Sequence, residues 1–288
     1  MSGSTAPHVD SASPWRIYAA NVMGRQHATR QEPGQDRFDV WTRTAPRSGR
    51  SILVTVTADG AGSAGKSWAG AWAACRSIRQ SIDAVLPEER FGGRAFHAEF
   101  WTDKSIERLF AKAVRRLDRW SRAVNAAPQD LATTLNLALI GDDFARFGRI
   151  GDGILGYSLS AKDGDWQVAI PPDIGEFASE TSFLTSPAWR DRLRITSLDQ
   201  SPRRVVVATD GIGPILFDSR AGTIHSRFMN PLFEALERNG NELTSPDLRL
   251  ARFLGSDRVA KFCSDDLTVV MARRDEGRPE VDESSEDR

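Results

Sequence analysis

The segment ADGAGSAGKSWAG (residues 58–70) permits three interpretations. Residues 60–67 match the nucleotide-phosphate pattern G-x-x-x-x-G-K-S, and three of the glycines match the dinucleotide pattern G-x-G-x-x-G. Both patterns need a strand before them and a helix after them, and the flanking residues predict that context. The third interpretation uses only Asp59 and Gly60, as a metal-binding corner at the end of a strand. The rest of the sequence decides among the three.

Runs of predicted strands are separated from runs of predicted helices along the chain. Alternating or continuous apolar residues predict strands at 15–24, 36–43, 51–58, 133–141, 144–151, 154–160, 165–170, 203–211 and 266–273. Apolar residues spaced by three and four predict helices at 68–85, 106–120, 226–239 and 246–262. This grouping favours an α+β layered domain over alternating β-α-β units.

One domain accounts for most of the chain. The sequence has 288 residues, of which 40% are hydrophobic, enough to fill a sizeable core. We predict that residues 1–13 and the acidic tail 275–288 are disordered, because neither segment has enough apolar surface to offset its ordering entropy. The domain then covers residues 14–274, and residues 171–200, which show no sustained periodicity, form a flap or insertion.

Composition excludes several classes of function. The net charge of -1 provides no general field for nucleic acid, and no apolar run approaches the roughly 20 residues of a membrane-spanning helix. The two cysteines, Cys75 and Cys263, do not suggest a disulfide framework, so we expect a reduced, cytoplasmic location. Neither cysteine has an arginine six residues later, as a thiolate phosphatase loop needs. The oligomeric state stays open.

Both nucleotide interpretations lack part of their expected context. Asp83 has the spacing of a ribose-binding acid but lies within the predicted helix 68–85, where it cannot end a second strand. The run of antiparallel strands over 133–170 fits poorly into the parallel sheet of a P-loop protein. A P-loop NTPase using residues 60–67 stays an alternative, since VVVATD (205–210) resembles a strand ending in a magnesium-binding aspartate.

Aspartates recur at predicted strand ends and turns. They are Asp36, Asp59, Asp152, Asp210 and the pair Asp265 and Asp266. A single Asp-Gly is usually only a turn. Several strand ends side by side would instead form a cluster of carboxylate oxygens, the ligands that suit magnesium or manganese.

An ordered set of segments carries a family resemblance. The segments are QDRF (35–38), VTADGAGSAGKSWAGAWAA (56–74), TTLNLALIG (133–141), RIGDG (149–153), VVVATDGI (205–212) and SDDLTVVMA (264–272). Together they resemble the bacterial branch of the metal-dependent serine/threonine phosphatases of type 2C. The resemblance implies a four-layer αββα sandwich, with two mostly antiparallel sheets flanked by helix pairs.

The resemblance also implies a centre of two Mg²⁺ or Mn²⁺ ions, with a weaker third ion possible in the family. The matching ligand positions are Asp36, Asp59, Gly60, Asp152, Asp210 and Asp265. Asp59 would bridge both ions, and the carbonyl of Gly60 would bind one of them. Asp36 would hold metal-bound water, and Asp152 matches the weaker site. Asp265 is preferred to Asp266 because it matches the position of the family's ligand.

The implied reaction is hydrolysis of phosphoserine and phosphothreonine by a hydroxide that bridges the two ions, without a covalent intermediate. Arg30 is the candidate phosphate clamp, because a guanidinium can bind phosphate through two hydrogen bonds, and His27 is a second candidate. The expected partners are a phosphoprotein substrate and a cognate serine/threonine kinase.

Three positions depart from the family pattern. Ala61 stands where eukaryotic members carry a histidine proposed as general acid, and Pro214 stands where many members have an aspartate. Residues 153–154 are Gly-Ile in place of the common Ser-Arg. The core ligands survive these changes, which favours an active enzyme over a catalytically weak pseudophosphatase that binds phosphoproteins.

Overall fold

Two five-stranded antiparallel sheets lie face to face at the centre of the fold. A computed structural model describes residues 7–87, 92–160, 166–171, 181–238 and 244–275. In the first sheet the strand order is β2-β3-β4-β5-β8, and in the second it is β1-β12-β9-β6-β7. The strands are β1 Trp15–Val22, β2 Arg37–Thr44, β3 Ser51–Ala58, β4 Leu135–Ile140, β5 Ala145–Ile150, β6 Ile154–Ser158, β7 Gln167–Val168, β8 Arg194–Leu198, β9 Arg204–Ala208, β10 Phe217–Asp218, β11 Thr223–Ile224 and β12 Leu267–Arg274. The short strands β10 and β11 pair with each other.

Helices cover the outer face of each sheet. They are α1 Arg25–Arg30, α2 Ser67–Asp83, α3 Asp103–Ala123, α4 Trp189–Arg192, α5 Gly213–Leu216, α6 Ser226–Glu237, α7 Pro246–Leu254 and α8 Asp257–Ala260. Short 3₁₀ turns lie at Arg94–Phe96, Ala98–Phe100, Pro128–Leu131 and Asp210–Ile212. Helices α2 and α3 pack on the first sheet, and α6 to α8 pack on the second. The predicted four-layer α+β sandwich is therefore confirmed.

The apolar spacing of α3 explains its position. Ile106, Phe110, Ala113 and Leu117 recur at intervals of three and four and are fully buried or nearly so, because this face lies against the first sheet. The helix begins after Thr102, whose hydroxyl accepts a hydrogen bond from the Ser105 N–H and caps the first turn. The side chains on the opposite face stay in solvent.

The interior between the sheets is apolar over most of its length and polar at one end. Phe147 of the first sheet stacks on Tyr157 of the second, with ring centroids 5.8 Å apart. Towards the end where β3 and β9 finish, buried hydroxyl and amide groups replace the apolar side chains. They include Thr57, Asn136, Thr209 and Thr268. Buried polar groups cost free energy unless they are hydrogen-bonded, so this end has a different role from the rest of the core.

The structure corrects the sequence-based prediction in several segments. Residues 7–13 are not disordered: the His8 N–H donates to the Val40 carbonyl, and the Thr42 N–H donates to the His8 carbonyl. Within 171–200, α4 and β8 form regular structure, and β8 pairs with β5 as the edge strand of the first sheet. Its sequence RITSL has a short alternation that the long aperiodic segment obscured.

Two helical segments also differ from the prediction. The helix expected over 246–262 is divided into α7 and α8, because Gly255 and Ser256 interrupt it. Helix α1 was not predicted, since its six residues are too few to show a period. The predictions for residues 1–6 and 276–288 lie outside the described residues. The extent of the domain, 14–274, stays a prediction.

Membrane insertion finds no support in the described helices. None of them combines the length and the apolar character required to cross a bilayer.

A substitution at Gly70 tests how closely α2 packs on the 3₁₀ turn Pro128–Leu131. A Cβ at this position would lie 2.2 Å from the Leu131 carbonyl oxygen, whereas a Cβ at Gly65 would meet nothing within 4 Å. Although alanine favours helix by about 1 kcal/mol over glycine, we expect Gly70→Ala to destabilise the protein by about 1–3 kcal/mol, because the backbone must move. Gly65→Ala is the matched control, with an expected change within about 0.5 kcal/mol. Urea unfolding of both variants checks this, and a stabilised Gly70→Ala protein would contradict the packing.

Candidate metal and active site

Three carboxylates converge where the strands end. Asp59 follows β3 directly, Asp152 follows β5, and Asp210 follows β9. Each of them offers an oxygen atom, and these atoms all lie within 4.8 Å of one another. None of the three, nor Asp36, takes part in an ion pair with a described residue. Such a group of hard oxygen donors without a positive partner suits a divalent cation.

The backbone of Asp59 is held by two adjacent threonines. Thr134 N–H and Thr133 Oγ1 both donate to the Asp59 carbonyl, at 2.8 and 2.9 Å. The Asp59 N–H donates to Thr134 Oγ1 at 2.9 Å. These bonds join the end of β3 to the approach to β4. They fix the direction in which the Asp59 side chain leaves the sheet.

Gly60 lies where a side chain cannot be accommodated. A Cβ on Gly60 would be 2.7 Å from the backbone carbon of Ser67, the first residue of α2. Within the described part of the chain, no hydrogen bond to the Gly60 carbonyl oxygen is found. That oxygen is therefore available to bind a cation beside Asp59.

Asp36 lies beneath this group and is almost completely buried. Thr209 Oγ1 donates to Asp36 Oδ2 at 2.6 Å. Thr209 Oγ1 in turn accepts from the Thr268 N–H at 3.2 Å. Asn21 Nδ2 donates both to the Asp36 carbonyl, at 3.0 Å, and to Thr268 Oγ1, at 2.8 Å. The charge of Asp36 contributes to the raised pKa of Asp59, so the buried network is electrostatically connected to the converging carboxylates.

The carboxyl groups have raised pKa values because they are buried together. Burial, followed by the charges of Asp36 and Asp210, raises the pKa of Asp59 far above its ordinary range. Burial likewise raises the pKa of Asp36, although the hydrogen bond from Thr209 opposes this. Burial, together with the charges of Asp152 and Asp265, raises the pKa of Asp210 to about 6. Cations bound here would relieve the repulsion and favour the charged forms.

The neighbours Asp265 and Asp266 have different environments. Asp266 is 3% exposed and accepts hydrogen bonds from the Gly24 N–H at 2.7 Å and from the Gln35 N–H. It therefore holds the segment that leads to Asp36. The side chain of Asp265 is 60% exposed, and its charge contributes to the raised pKa of Asp210. Of the two side chains, Asp265 is therefore the one that solvent reaches, and the preference for Asp265 as a metal ligand stays a prediction.

The two predicted phosphate contacts, His27 and Arg30, have different environments. His27 is 7% exposed, and its Nδ1 is 3.0 Å from Asp266 Oδ1, so the ring holds α1 against the loop before β12. A phosphate ligand must be reachable from solvent, and this burial favours a structural role for His27 over the predicted phosphate contact. Arg30 is exposed at the end of α1, and its side chain has no hydrogen-bond or ionic partner among the described residues.

Asp152, which the sequence matched to a weaker additional metal site, lies together with Asp59 and Asp210. Thr181 Oγ1 donates to Asp152 Oδ2 at 2.7 Å. Thr181 belongs to the segment 171–200, so this bond attaches that segment to the edge of the carboxylate group.

Sequence reasoning missed the hydroxyl and amide groups that support the carboxylates. Asn136 is fully buried, and its Nδ2 donates to Thr57 Oγ1 at 2.9 Å. A Cβ at Gly153 would lie 2.1 Å from the same nitrogen, so glycine is needed there. The sequence feature that could have indicated this network is a single polar residue within an otherwise apolar strand, such as Asn136 in LNLALI. Polar residues in a buried strand indicate a hydrogen-bonded network or a site.

The P-loop interpretation finds no support in the fold. Strand β3, which precedes the glycine segment, pairs antiparallel with both β2 and β4. A P-loop lies between a strand of a parallel sheet and the following helix. Lys66 is exposed, and its backbone N–H donates to the Asp130 carbonyl. The match over residues 60–67 is therefore coincidental, and its glycines serve the turn between β3 and α2.

A two-sheet sandwich with carboxylates gathered at one end suits a metal-dependent hydrolase, and comparison of the sequence with known families identifies which one. A profile of the Protein phosphatase 2C family matches residues 23–255. The chain belongs to this family, and it is therefore a serine/threonine phosphatase. Metal dependence is typical of the family.

One characterised relative matches almost throughout. The chain is 27% identical over 267 residues to Serine/threonine-protein phosphatase 3 of Escherichia coli (strain K12), and the match covers 90% of this chain and 98% of that protein.

Solved structures share the fold. A bacterial serine phosphatase has a TM-score of 0.57 and 13% identity, covering 92% of this chain and 99% of the other. The catalytic domain of the serine/threonine phosphatase PstP, in complex with two manganese ions, has a TM-score of 0.52 and 18% identity, covering 91% and 99%. At these identities the likeness concerns the fold alone.

Thr209 provides a test of the buried network. Thr209→Val removes the hydroxyl that orients Asp36, whereas Thr209→Ser keeps it. We expect the valine variant to bind Mn²⁺ about tenfold more weakly, because groups that orient metal ligands typically contribute 10- to 100-fold in affinity. The serine variant should stay within about threefold of the wild type. Calorimetric titration with Mn²⁺ measures both, and wild-type affinity in a folded Thr209→Val protein would show that Thr209 does not orient a ligand.

The raised pKa values predict how stability depends on pH without metal. Because the folded pKa of Asp210 is about 6 and those of Asp36 and Asp59 are also above the ordinary 3.8, the folded state holds protons that the unfolded chain releases. Stability therefore decreases as the pH rises through the folded pKa values. We expect the Tm in EDTA to be lower at pH 8 than at pH 5.

Mn²⁺ should raise the Tm more at pH 8 than at pH 5, because protons compete with the cation for the carboxylates. At about 100 times Kd the shift at pH 8 should be about 5 °C or more. Asp59→Asn should reduce both the pH effect and the metal effect. An unchanged Tm with Mn²⁺ at pH 8, or a metal-free Tm that rises between pH 5 and pH 8, would contradict this electrostatic account.

Proposed function

We propose that this phosphatase hydrolyses phosphoserine and phosphothreonine in proteins with two Mg²⁺ or Mn²⁺ ions held at the carboxylate end of the sandwich. The observation that carries the proposal is the convergence of Asp59, Asp152 and Asp210 within 4.8 Å, with no positive side chain paired to them among the described residues. The proposed ligands are Asp36, Asp59, the carbonyl of Gly60, Asp210 and Asp265, with Asp152 as an additional ligand or the site of a weaker third ion. When bound, such ions lower the pKa of a shared water towards about 7 and neutralise the oxygens of the phosphoryl group.

The protein's own groups prepare the site for this chemistry. Thr133 and Thr134 hold the Asp59 backbone, and Thr209 orients Asp36 before any cation arrives. Preorganised ligands avoid the free-energy cost of reorganising during the reaction. Asp265, whose side chain is 60% exposed, leaves the site open to a phosphorylated side chain on a protein surface. No side chain needs to form a covalent intermediate.

Arg30 is the proposed phosphate contact. It is exposed at the end of α1. A hydrogen bond from the Gln26 N–H to the Ser264 carbonyl places this helix next to the loop that contains Asp265. A planar guanidinium can donate two hydrogen bonds to phosphate oxygens. Arg30→Lys should then raise KM for a phosphopeptide more than it lowers kcat.

Signalling partners follow from the reaction. The structural relative PppA, with 16% identity, a TM-score of 0.51 and coverage of 90% of this chain and 97% of that one, is described as a key regulatory component of the T6SS in Pseudomonas aeruginosa. For the present chain we propose a phosphoprotein substrate and a serine/threonine kinase that acts on the same residue.

Hydrolysis of p-nitrophenyl phosphate and of a phosphothreonine peptide tests the proposal, with Mn²⁺, Mg²⁺ or EDTA. We expect turnover only with a divalent ion. Asp59→Asn should lower it by about a thousandfold, because the ions contribute several kcal/mol of charge stabilisation. Lys66→Ala should be nearly unchanged.

Asp143→Asn is the matched carboxylate control, since Asp143 is exposed at the opposite end of β5 and pairs with Arg50. It should retain wild-type activity. A folded wild type that binds the phosphopeptide without turnover in any metal would instead identify a phosphoprotein-binding pseudophosphatase. Activity that is lost in Lys66→Ala but kept in Asp59→Asn would contradict the carboxylate site.

A further inference from the structure

Helix α3 carries a row of basic side chains that the proposed reaction does not use. We call this row the basic stripe; it consists of Lys104, Arg108, Lys112, Arg115, Arg119 and Arg122. All six are exposed, and their spacing of three and four residues places them along one face of the helix. With a rise of 1.5 Å per residue, the stripe is about 27 Å long.

The fold itself does not account for the stripe. The opposite face of α3 supplies the packing, through residues such as Ile106 and Phe110. Among the described residues, Arg122 is the only member with an ion pair, to Asp118. Like charges three and four residues apart destabilise a helix by about 0.2–0.5 kcal/mol per pair. The helix dipole favours cations only in the last turn, which explains Arg122 but not Lys104 or Arg108.

Two exposed tryptophans and one partly buried tryptophan lie between the stripe and the carboxylates. We call this group the aromatic patch: Trp68, Trp72 and Trp120. Trp68 and Trp72 are 41% and 44% exposed, although large aromatic side chains are usually more buried. The rings of Trp72 and Trp120 are 5.9 Å apart, which joins α2 to the end of α3 where Arg119 lies.

The patch begins at the edge of the active site. Ser67, the residue before Trp68, abuts Gly60, which follows Asp59. A polypeptide whose phosphorylated residue is at the carboxylates can therefore continue over the two exposed tryptophans and reach Arg119. From Arg119 to Lys104 the stripe accommodates about seven residues of extended chain, at roughly 3.3 Å each.

We propose that the aromatic patch and the basic stripe form a docking surface for an acidic segment of the phosphoprotein substrate. This inference rests on the proposed function, and it adds a substrate class: phosphoproteins in which aspartate and glutamate residues lie at a distance from the phosphorylated residue. Charge complementarity carries the choice of partner, because five of the six basic side chains in the stripe have no ion pair with a described carboxylate. A protein segment is favoured over nucleic acid because the surface continues from a site for phosphorylated side chains, and the chain has a net charge of -1.

The test compares phosphothreonine peptides that share the residues around the phosphate. A flexible linker joins these residues to eight acidic residues or, in the neutral peptide, to eight serine and glycine residues. Each peptide is made in two orientations, with the added residues on the N-terminal or on the C-terminal side of the phosphothreonine. The stripe variant is Arg108→Gln, Arg115→Gln and Arg119→Gln combined. The matched control is Arg227→Gln, Arg252→Gln and Arg258→Gln, which removes three exposed charges from the helices over the other sheet.

We expect wild type and control to have about a tenfold higher kcat/KM for the acidic peptide in its better orientation, mainly through a lower KM. The preference should decrease to within about twofold in the stripe variant. It should also decrease in 0.5 M salt, since exposed charges are screened. Activity on p-nitrophenyl phosphate and on the neutral peptide should be equal in all three proteins.

Two results would overturn the inference. One is an equal kcat/KM for the acidic and neutral peptides in the wild type. If a single-stranded oligonucleotide then binds through the stripe, the stripe is a nucleic-acid site and the inference is equally wrong. The other is a preference that persists in the stripe variant. If the wild type hydrolyses neither peptide nor p-nitrophenyl phosphate, the proposed function fails. Fluorescence anisotropy of a labelled acidic peptide then tests the docking surface separately, and stripe-independent binding overturns it.

Discussion

The mutual repulsion of carboxylates gathered at one end of the sandwich is the constraint on which the rest of the structure depends. Asp36, Asp59 and Asp210 all have raised pKa values because burial and neighbouring charges act in the same direction. A fold maintains such an arrangement only when other interactions outweigh its cost. The stacked sheets and their helices supply those interactions away from the site, in the apolar interior around Phe147 and Tyr157.

The polar network between the sheets reduces this cost locally. Thr209 donates to Asp36, Thr133 and Thr134 bind the Asp59 backbone, and Asn136 connects β4 to β3. Each bond joins the ends of strands that are distant in sequence, so the positions of the carboxylates follow those of the sheets. Ligands on rigid elements keep their geometry when a cation or substrate is absent. The same network explains why Thr57, Asn136, Thr209 and Thr268 are tolerated as buried polar residues at this end of the core.

Close approach of backbone segments explains the glycines that first suggested a nucleotide site. Gly60 allows the turn after β3 to touch Ser67, and Gly70 allows α2 to touch Leu131. The segment 58–70 therefore combines two features in adjacent residues: Asp59 is a proposed metal ligand, and the glycines allow the helix to pack. Trp68, within this segment, and Trp72, just after it, extend from the packed helix into solvent and provide the start of the proposed docking surface.

The sequence by itself determined the order of the strands and helices, the strand-end aspartates and the family, because side-chain periodicity and motif spacing are local properties of the chain. It did not reveal strand β8, helix α1 or the ordered backbone of residues 7–13. Short elements show too little periodicity, and their position depends on the strands they contact. Only the tertiary structure decided that Asp152 joins Asp59 and Asp210, and that Asp266 is buried while Asp265 is exposed. Those outcomes depend on which strand ends meet across two sheets, and distances between residues remote in sequence are set by packing alone.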